Sequence, residues 1–175
     1  MICLMKRTII LLSLLLSVTA CQKDSYSTFS KKYRVWYNCS TMDAPFNQII
    51  IPGHFISVRK IGNKLKVTDS NGKEIENELS SVQSNSYQMG LAGLIIGTPA
   101  LNNDDMSVWA FDLGCPVCDS EAIRLSFDIK GTATCSKCGG SWSLNASGFP
   151  IDEKASRPLL RYPVLKSENS VTVSN

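Results

Sequence analysis

Histidine is nearly absent: His54 is the only one in 175 residues, so any mechanism that needs two imidazoles is excluded, as is a zinc enzyme built on several histidines. Net charge is also scarce. The formal value is +3, and removal of Lys6 and Arg7 with an N-terminal signal leaves sixteen basic side chains against fifteen acidic ones. A nucleic-acid binder driven by bulk charge is thereby ruled out. No apolar run reaches the roughly twenty residues that a membrane-crossing helix needs. No window of a dozen residues carries a 3.6-residue apolar period, which leaves little room for helix. A phosphate loop is missing too: Gly90, Gly93 and Gly97 punctuate an apolar stretch, but no GK[ST] follows, so they read as turn and packing glycines. Nor is there a G-x-S-x-G serine or a nucleophile beside a candidate histidine.

What is present begins with an address. Lys6-Arg7 precedes an apolar run from Ile9 to Val18, broken only by Ser13 and Ser17, and small residues lead to Cys21. This order of charged, apolar and small-residue parts is that of a secretory signal. Leu16-Ser17-Val18-Thr19-Ala20-Cys21 resembles the bacterial lipoprotein signal, in which the cysteine is lipidated and becomes the mature N-terminus. Several acyl chains on one residue give the lasting membrane affinity that a single chain lacks. The expected organisation is a signal over 1–20, a polar tether from lipidated Cys21 over 21–32, and one domain over 33–175. The expected location is the bacterial cell envelope, on the periplasmic or outer-membrane side.

The body reads as short β-branched and aromatic segments. Arg34–Tyr37, Gln48–Ile51, Phe55–Arg59, Lys64–Thr68, Leu91–Gly97 and Val108–Leu113 are expected strands, with turns at Gly62-Asn63 and Asn71-Gly72. Ile123, Leu125, Phe127 and Ile129 alternate with polar residues, the pattern of a half-buried strand. Glu74, Glu76, Asp104 and Asp105 read as solvated loop charges. The fold class is all-β, in antiparallel sheets.

The chemistry lies in the cysteines. Cys115-Pro116-Val117-Cys118 and Cys135-Ser136-Lys137-Cys138 are two CxxC pairs separated by sixteen residues. Two thiolates spaced this way in a tight turn can face one ion about 2.3 Å away, while the turn's N–H groups support the sulfurs. Pro116 and Gly139-Gly140 suit such turns. The same spacing admits two alternatives: a disulfide within each pair in an oxidising compartment, or a dithiol redox motif, which expects a βαβ context that is missing. Cys39 stands apart and reads as a buried free thiol.

The wider pattern resembles Rieske-type iron–sulfur domains. The residues that carry it are Cys115–Cys118, then Cys135-Ser-Lys-Cys138-Gly139-Gly-Ser-Trp142, then Gly148-Phe-Pro150, then Arg157-Pro158-Leu159-Leu-Arg161-Tyr162. In that family the loops are C-x-H and C-x-x-H-G-x-x-F, followed by a glycine-proline stretch and an R-P-L-x-x-Y segment that returns to the base sheet. The match spans about 107–173. It implies Rieske-like antiparallel sheets with a small two-loop metal-binding subdomain at about 108–150, and Trp142 packed beside the second loop. Both family histidines are replaced, by Cys118 and Cys138, and the first loop is one residue longer. A Rieske centre owes its raised potential to two imidazoles on one iron, so this chain cannot make one.

Zinc or iron on four thiolates, or a four-cysteine 2Fe-2S cluster, remain. A protein exported unfolded takes its metal outside, and Lys6-Arg7 is not a twin-arginine signal for folded export, which favours zinc. A closed set of four thiolates leaves no open position for substrate, so a non-enzymatic protein is expected. Its membrane contact would be the lipid anchor, with a protein partner, or a redox partner if the metal is iron.

Overall fold

The computed structural model describes residues 29–101 and 107–175; the signal, Cys21 and Asp104-Asp105 lie outside the described residues. Among the described residues fourteen strands, all paired antiparallel, form three sheets. The largest has six strands in the order β12-β7-β6-β2-β3-β4: Arg161–Tyr162, Trp109–Asp112, Leu94–Gly97, Phe55–Ile61, Lys64–Asp69 and Glu74–Glu78. A second, β13-β14-β1-β5, comprises Val164–Lys166, Ser170–Ser174, Val35–Ser40 and Gln88–Met89. The smallest, β11-β10-β9-β8, is built from Phe149–Pro150, Ser141–Ser143, Thr132–Cys135 and Leu125–Phe127. The α-helix α1, Ser81–Ser86, has six residues and a capping box between Ser80 and Gln83. Among the described residues no helix is long and apolar enough to cross a membrane.

The six-stranded sheet is the middle layer because its central strands are apolar on both faces. Side chains alternate along a strand, so Leu94 and Ile96 of β6 enter the core against the second sheet, while Ile95 faces the other way, into the core beneath the cysteine loops. Strand β2 divides likewise, with Ile56 and Val58 on the first side and Phe55 on the second. The two-loop subdomain therefore rests on the back of the sheet that also closes the main core. The expected all-β fold, with antiparallel sheets and a small subdomain over the cysteine region, is the one observed.

Three local expectations are corrected. Gln48–Ile51 is not a strand: Phe46–Ile50 forms a 3-10 helix after Pro45, which turns fully buried Ile49 into the core and lets the Thr98 hydroxyl donate to its carbonyl at 2.7 Å. The alternation at 123–129 yields a strand only over Leu125–Phe127, since Asp128–Gly131 turns the chain and leaves Ile129 exposed. Glu74 and Glu76 are not loop charges; they sit on edge strand β4, where Glu74 pairs with Lys66 at 2.7 Å and Glu76 with Lys64 at 3.4 Å. Such charges guard the open edge against further strand pairing.

A buried carboxylate ties the layers together below the first cysteine loop. Asp112, fully buried, accepts from the Tyr162 hydroxyl (2.6 Å), from the N–H groups of Leu91 (2.6 Å) and Ala92 (3.3 Å), and from Gly114 N–H (2.6 Å). Burial raises its pKa, and these donors oppose that rise. Tyr162 is the tyrosine of the R-P-L-x-x-Y segment, whose strand β12 pairs with β7 as the resemblance implies. Tyr162→Phe removes one donor from this carboxylate and is expected to destabilise the protein by about 1–3 kcal/mol. An unchanged midpoint of urea unfolding would show that Asp112 does not depend on it.

Candidate metal centre

Each cysteine pair sits in a loop that leaves a strand. The first follows β7 and ends at β8; the second joins β9 to β10. The two loops repeat one geometry. Asp119 N–H donates to Cys115 C=O, and Gly139 N–H to Cys135 C=O, both at 2.9 Å, closing equivalent turns. The residue after each second cysteine has positive φ, 47° at Asp119 and 72° at Gly139. Glycine takes that conformation without strain, and Asp tolerates it better than most side chains. Strand pairing brings the loops together: Leu125 of β8 stands opposite Cys135 of β9, and Cys115 N–H donates to Ile123 C=O at 3.0 Å.

The four sulfurs converge. One Sγ each from Cys115, Cys118, Cys135 and Cys138 lie within 4.8 Å of one another, and this group could hold a metal ion. All four are free thiols. The short separations run between the loops, Cys115 to Cys138 at 3.6 Å and Cys118 to Cys135 at 3.8 Å, so a disulfide within either pair is not the arrangement observed. Four sulfurs about 2.3 Å from one ion in a tetrahedron stand roughly 3.8 Å apart, which matches these edges. Cys115 and Cys135 are buried, whereas Cys118 and Cys138 are half-buried and bring one side of the group to the surface.

Burial and the turn N–H groups act on the thiols in opposite directions. Burial pushes the Cys115 thiol far up and also raises Cys118. Burial opposes ionisation of Cys135 too, but N–H groups of Cys138 and Lys137 and the thiols of Cys115 and Cys138 hold it at about 7. Cys135 thus ionises more readily than Cys115 or Cys118, and those two are disfavoured as thiolates without a positive ion beside them.

The surroundings fix the loops. Trp142 is fully buried in the core that contains Cys115 and Cys135, and its Nε1–H donates to Arg157 C=O at 2.7 Å. This is the placement beside the second loop that the resemblance implies. Gly140 admits the indole: a Cβ there would lie 2.9 Å from Trp142 Cη2. Two contributors escaped the sequence reading. Asp152 accepts from Lys154 and Ala155 N–H at 3.0 and 2.9 Å, turning the chain behind the second loop. Asp119 receives Lys32 Nζ at 2.5 Å and the Tyr33 hydroxyl at 2.6 Å, so residues read as the end of the tether are fastened to the first loop. The only signal for Asp119 was its position one residue past a CxxC, where a left-handed turn is needed.

Cys39 lies elsewhere, on β1 within the main core. Burial pushes its thiol up to about 11, against a lowering by the Tyr37 hydroxyl. An unfolded thiol ionises near its ordinary value, so the stability this residue contributes is present below about 8.5 and lost as pH rises towards the folded value.

Cys118→Ser and Cys138→Ser are each expected to lower the melting temperature of metal-loaded protein to that of chelator-treated wild type, while Cys39→Ser retains its response to chelator. Equal behaviour of all three would remove the metal-centre assignment. In the native protein, Cys39 should resist iodoacetamide at pH 7.5 and react faster as pH approaches 11. Rapid labelling at neutral pH would contradict its burial.

No protein-family model and no curated protein sequence matches this chain. Among solved structures, the chain is similar to the ferredoxin of carbazole 1,9a-dioxygenase from Nocardioides aromaticivorans IC177, with 15% identity over 67% of this chain and 96% of that one, at a TM-score of 0.32.

Proposed function

We propose that this protein is a non-enzymatic lipoprotein of the bacterial cell envelope, whose Rieske-like domain holds one zinc ion structurally on Cys115, Cys118, Cys135 and Cys138. The observation that carries the zinc reading is the compactness of the sulfur group. In a 2Fe-2S cluster two bridging sulfides separate the irons, so thiolates on different irons stand further apart than ligands of one ion. Here every pair lies within 4.8 Å, the spacing of four ligands on one ion. Four thiolates suit zinc, and the absence of a twin-arginine pair suits a metal acquired after export.

Bound zinc would act as a cross-link: apparent binding energies of about 10–16 kcal/mol are typical of such sites. The chain's own residues then do the rest. Turn N–H groups of Val117 and Cys118 support the Cys115 sulfur, and those of Lys137 and Cys138 support Cys135. Trp142 and the buried core seal the inner side. With four protein ligands no coordination position is left for substrate, which supports a scaffold role with a protein partner at the surface.

The second reading is a tethered iron–sulfur protein that passes single electrons to an exported oxidoreductase. The family resemblance and the half-buried edge at Cys118 and Cys138 favour it. Elemental analysis of the full chain purified from the envelope separates the two. One zinc per chain and no visible absorbance is the expected result; iron with acid-labile sulfide would overturn the zinc reading in favour of electron transfer. Acidification should release the zinc as the four thiolates take up protons, so metal retention at pH 4 would argue against a thiolate site.

A further inference from the structure

A second site lies at the free edge of the six-stranded sheet. Arg161, on edge strand β12, has its guanidinium carbon 4.6 Å from the centre of the Trp109 ring and 5.1 Å from that of Phe29. Phe29 is brought there by the N-terminal segment, where Ser30 N–H donates to Arg161 C=O at 2.8 Å. Aromatic contact stabilises the cation but satisfies none of its N–H groups. Among the described residues Arg161 is in no ion pair, and its buried Nε–H has no hydrogen-bond partner. The cation therefore has no counter-charge among the described residues, which leaves it able to pair with an anionic ligand.

The space around it says what would fit. A cavity of about 380 Å³ is lined by Phe29, Val108, Trp109, Arg161, Pro163 and Val164, together with Tyr162 and Ser107. Its walls are mainly apolar, and Arg161 is the charged group in them. Nε is closed to solvent, so a ligand in the cavity would meet the guanidinium through its terminal N–H groups, whose planar arrangement matches the oxygens of a carboxylate or phosphate. We propose that this cavity binds an organic oxyanion, a carboxylate or phosphate on a hydrocarbon body, with the acid on the Arg161 edge and the body against Phe29, Val108 and Val164. The chemistry is shared by free amphiphilic acids and by anionic phospholipid headgroups. The site is independent of the metal centre and of its identity.

The test uses the full chain carrying Cys21→Ala, so that no lipid anchor contributes. Calorimetric titration with hexyl phosphate and hexanoate is expected to show one site per chain. Arg161→Gln should weaken it roughly ten- to hundredfold. Arg34→Gln, a change at an exposed arginine outside the cavity lining, should leave it unaltered. If Arg161→Gln does not fold, Phe29→Ala serves in its place, at a half-exposed ring whose loss should weaken binding roughly two- to fivefold. Co-sedimentation with phosphatidylglycerol vesicles but not phosphatidylcholine ones, lost on Arg161→Gln, would support the site with a lipid headgroup as its source. Titratable binding of the soluble acids without vesicle binding would support it with a free acid. No binding of either kind, or binding unaltered in the Arg161 and Phe29 variants, would overturn it.

Discussion

Four sulfurs within 4.8 Å of one another impose the constraint on which the second half of this chain depends. As thiols they are weak hydrogen-bonding groups of little value to the fold. As thiolates they repel, and burial makes the repulsion worse. The upward push on Cys115 and Cys118, beside the downward pull on Cys135, is the mark of a group that accepts one negative charge readily and resists more. A cation bound there would remove the conflict and tie together two loops whose small sheet has strands of only two to four residues.

The loops are held from behind as well as at the ligands. Asp112 anchors the chain three residues before Cys115, and its donors come from three separate segments: the turn at Leu91 and Ala92, Gly114, and the returning Tyr162. Trp142 plays the corresponding part for the second loop, filling the inner core and fixing Arg157 through its indole N–H. A buried carboxylate and a buried indole are thus each satisfied by backbone or side-chain partners, as interior polar groups must be. The outer edge of the centre, at Cys118 and Cys138, stays close to solvent.

Attachment of the N-terminal segment follows the same physics at the surface. Lys32 and Tyr33 hold Asp119 next to Cys118, while Phe29 and Ser30 lie against Arg161 on the opposite end of the chain's final third. Asn175 completes the closure, its side-chain amide donating to Ser30 and Tyr33 carbonyls at 3.1 and 2.6 Å. The segment expected to be a plain spacer is, from Phe29 onward, part of the domain's surface.

The all-β class, the six strands β1, β2, β3, β6, β7 and β8, both cysteine pairs and the aromatic at Trp142 were legible without coordinates, because each depends on local spacing: alternation with period two, glycine turns, and two ligands per tight turn. The Gln48–Ile51 segment was misread because a short apolar run looks the same in a strand and in one turn of helix, and only the pocket for Ile49 distinguishes them. The Glu74–Glu78 strand was hidden because its pairing with Lys64 and Lys66 is a relation between strands. By itself, the sequence determined that four thiols come in two equivalent turns. The tertiary structure alone decided that those turns meet sulfur to sulfur across the loops, that the Tyr162 hydroxyl donates to Asp112 beneath them, and that Arg161 is left between two rings with a donor unspent. Each of these joins residues that are far apart in the chain, and such distances close only when the sheets pack.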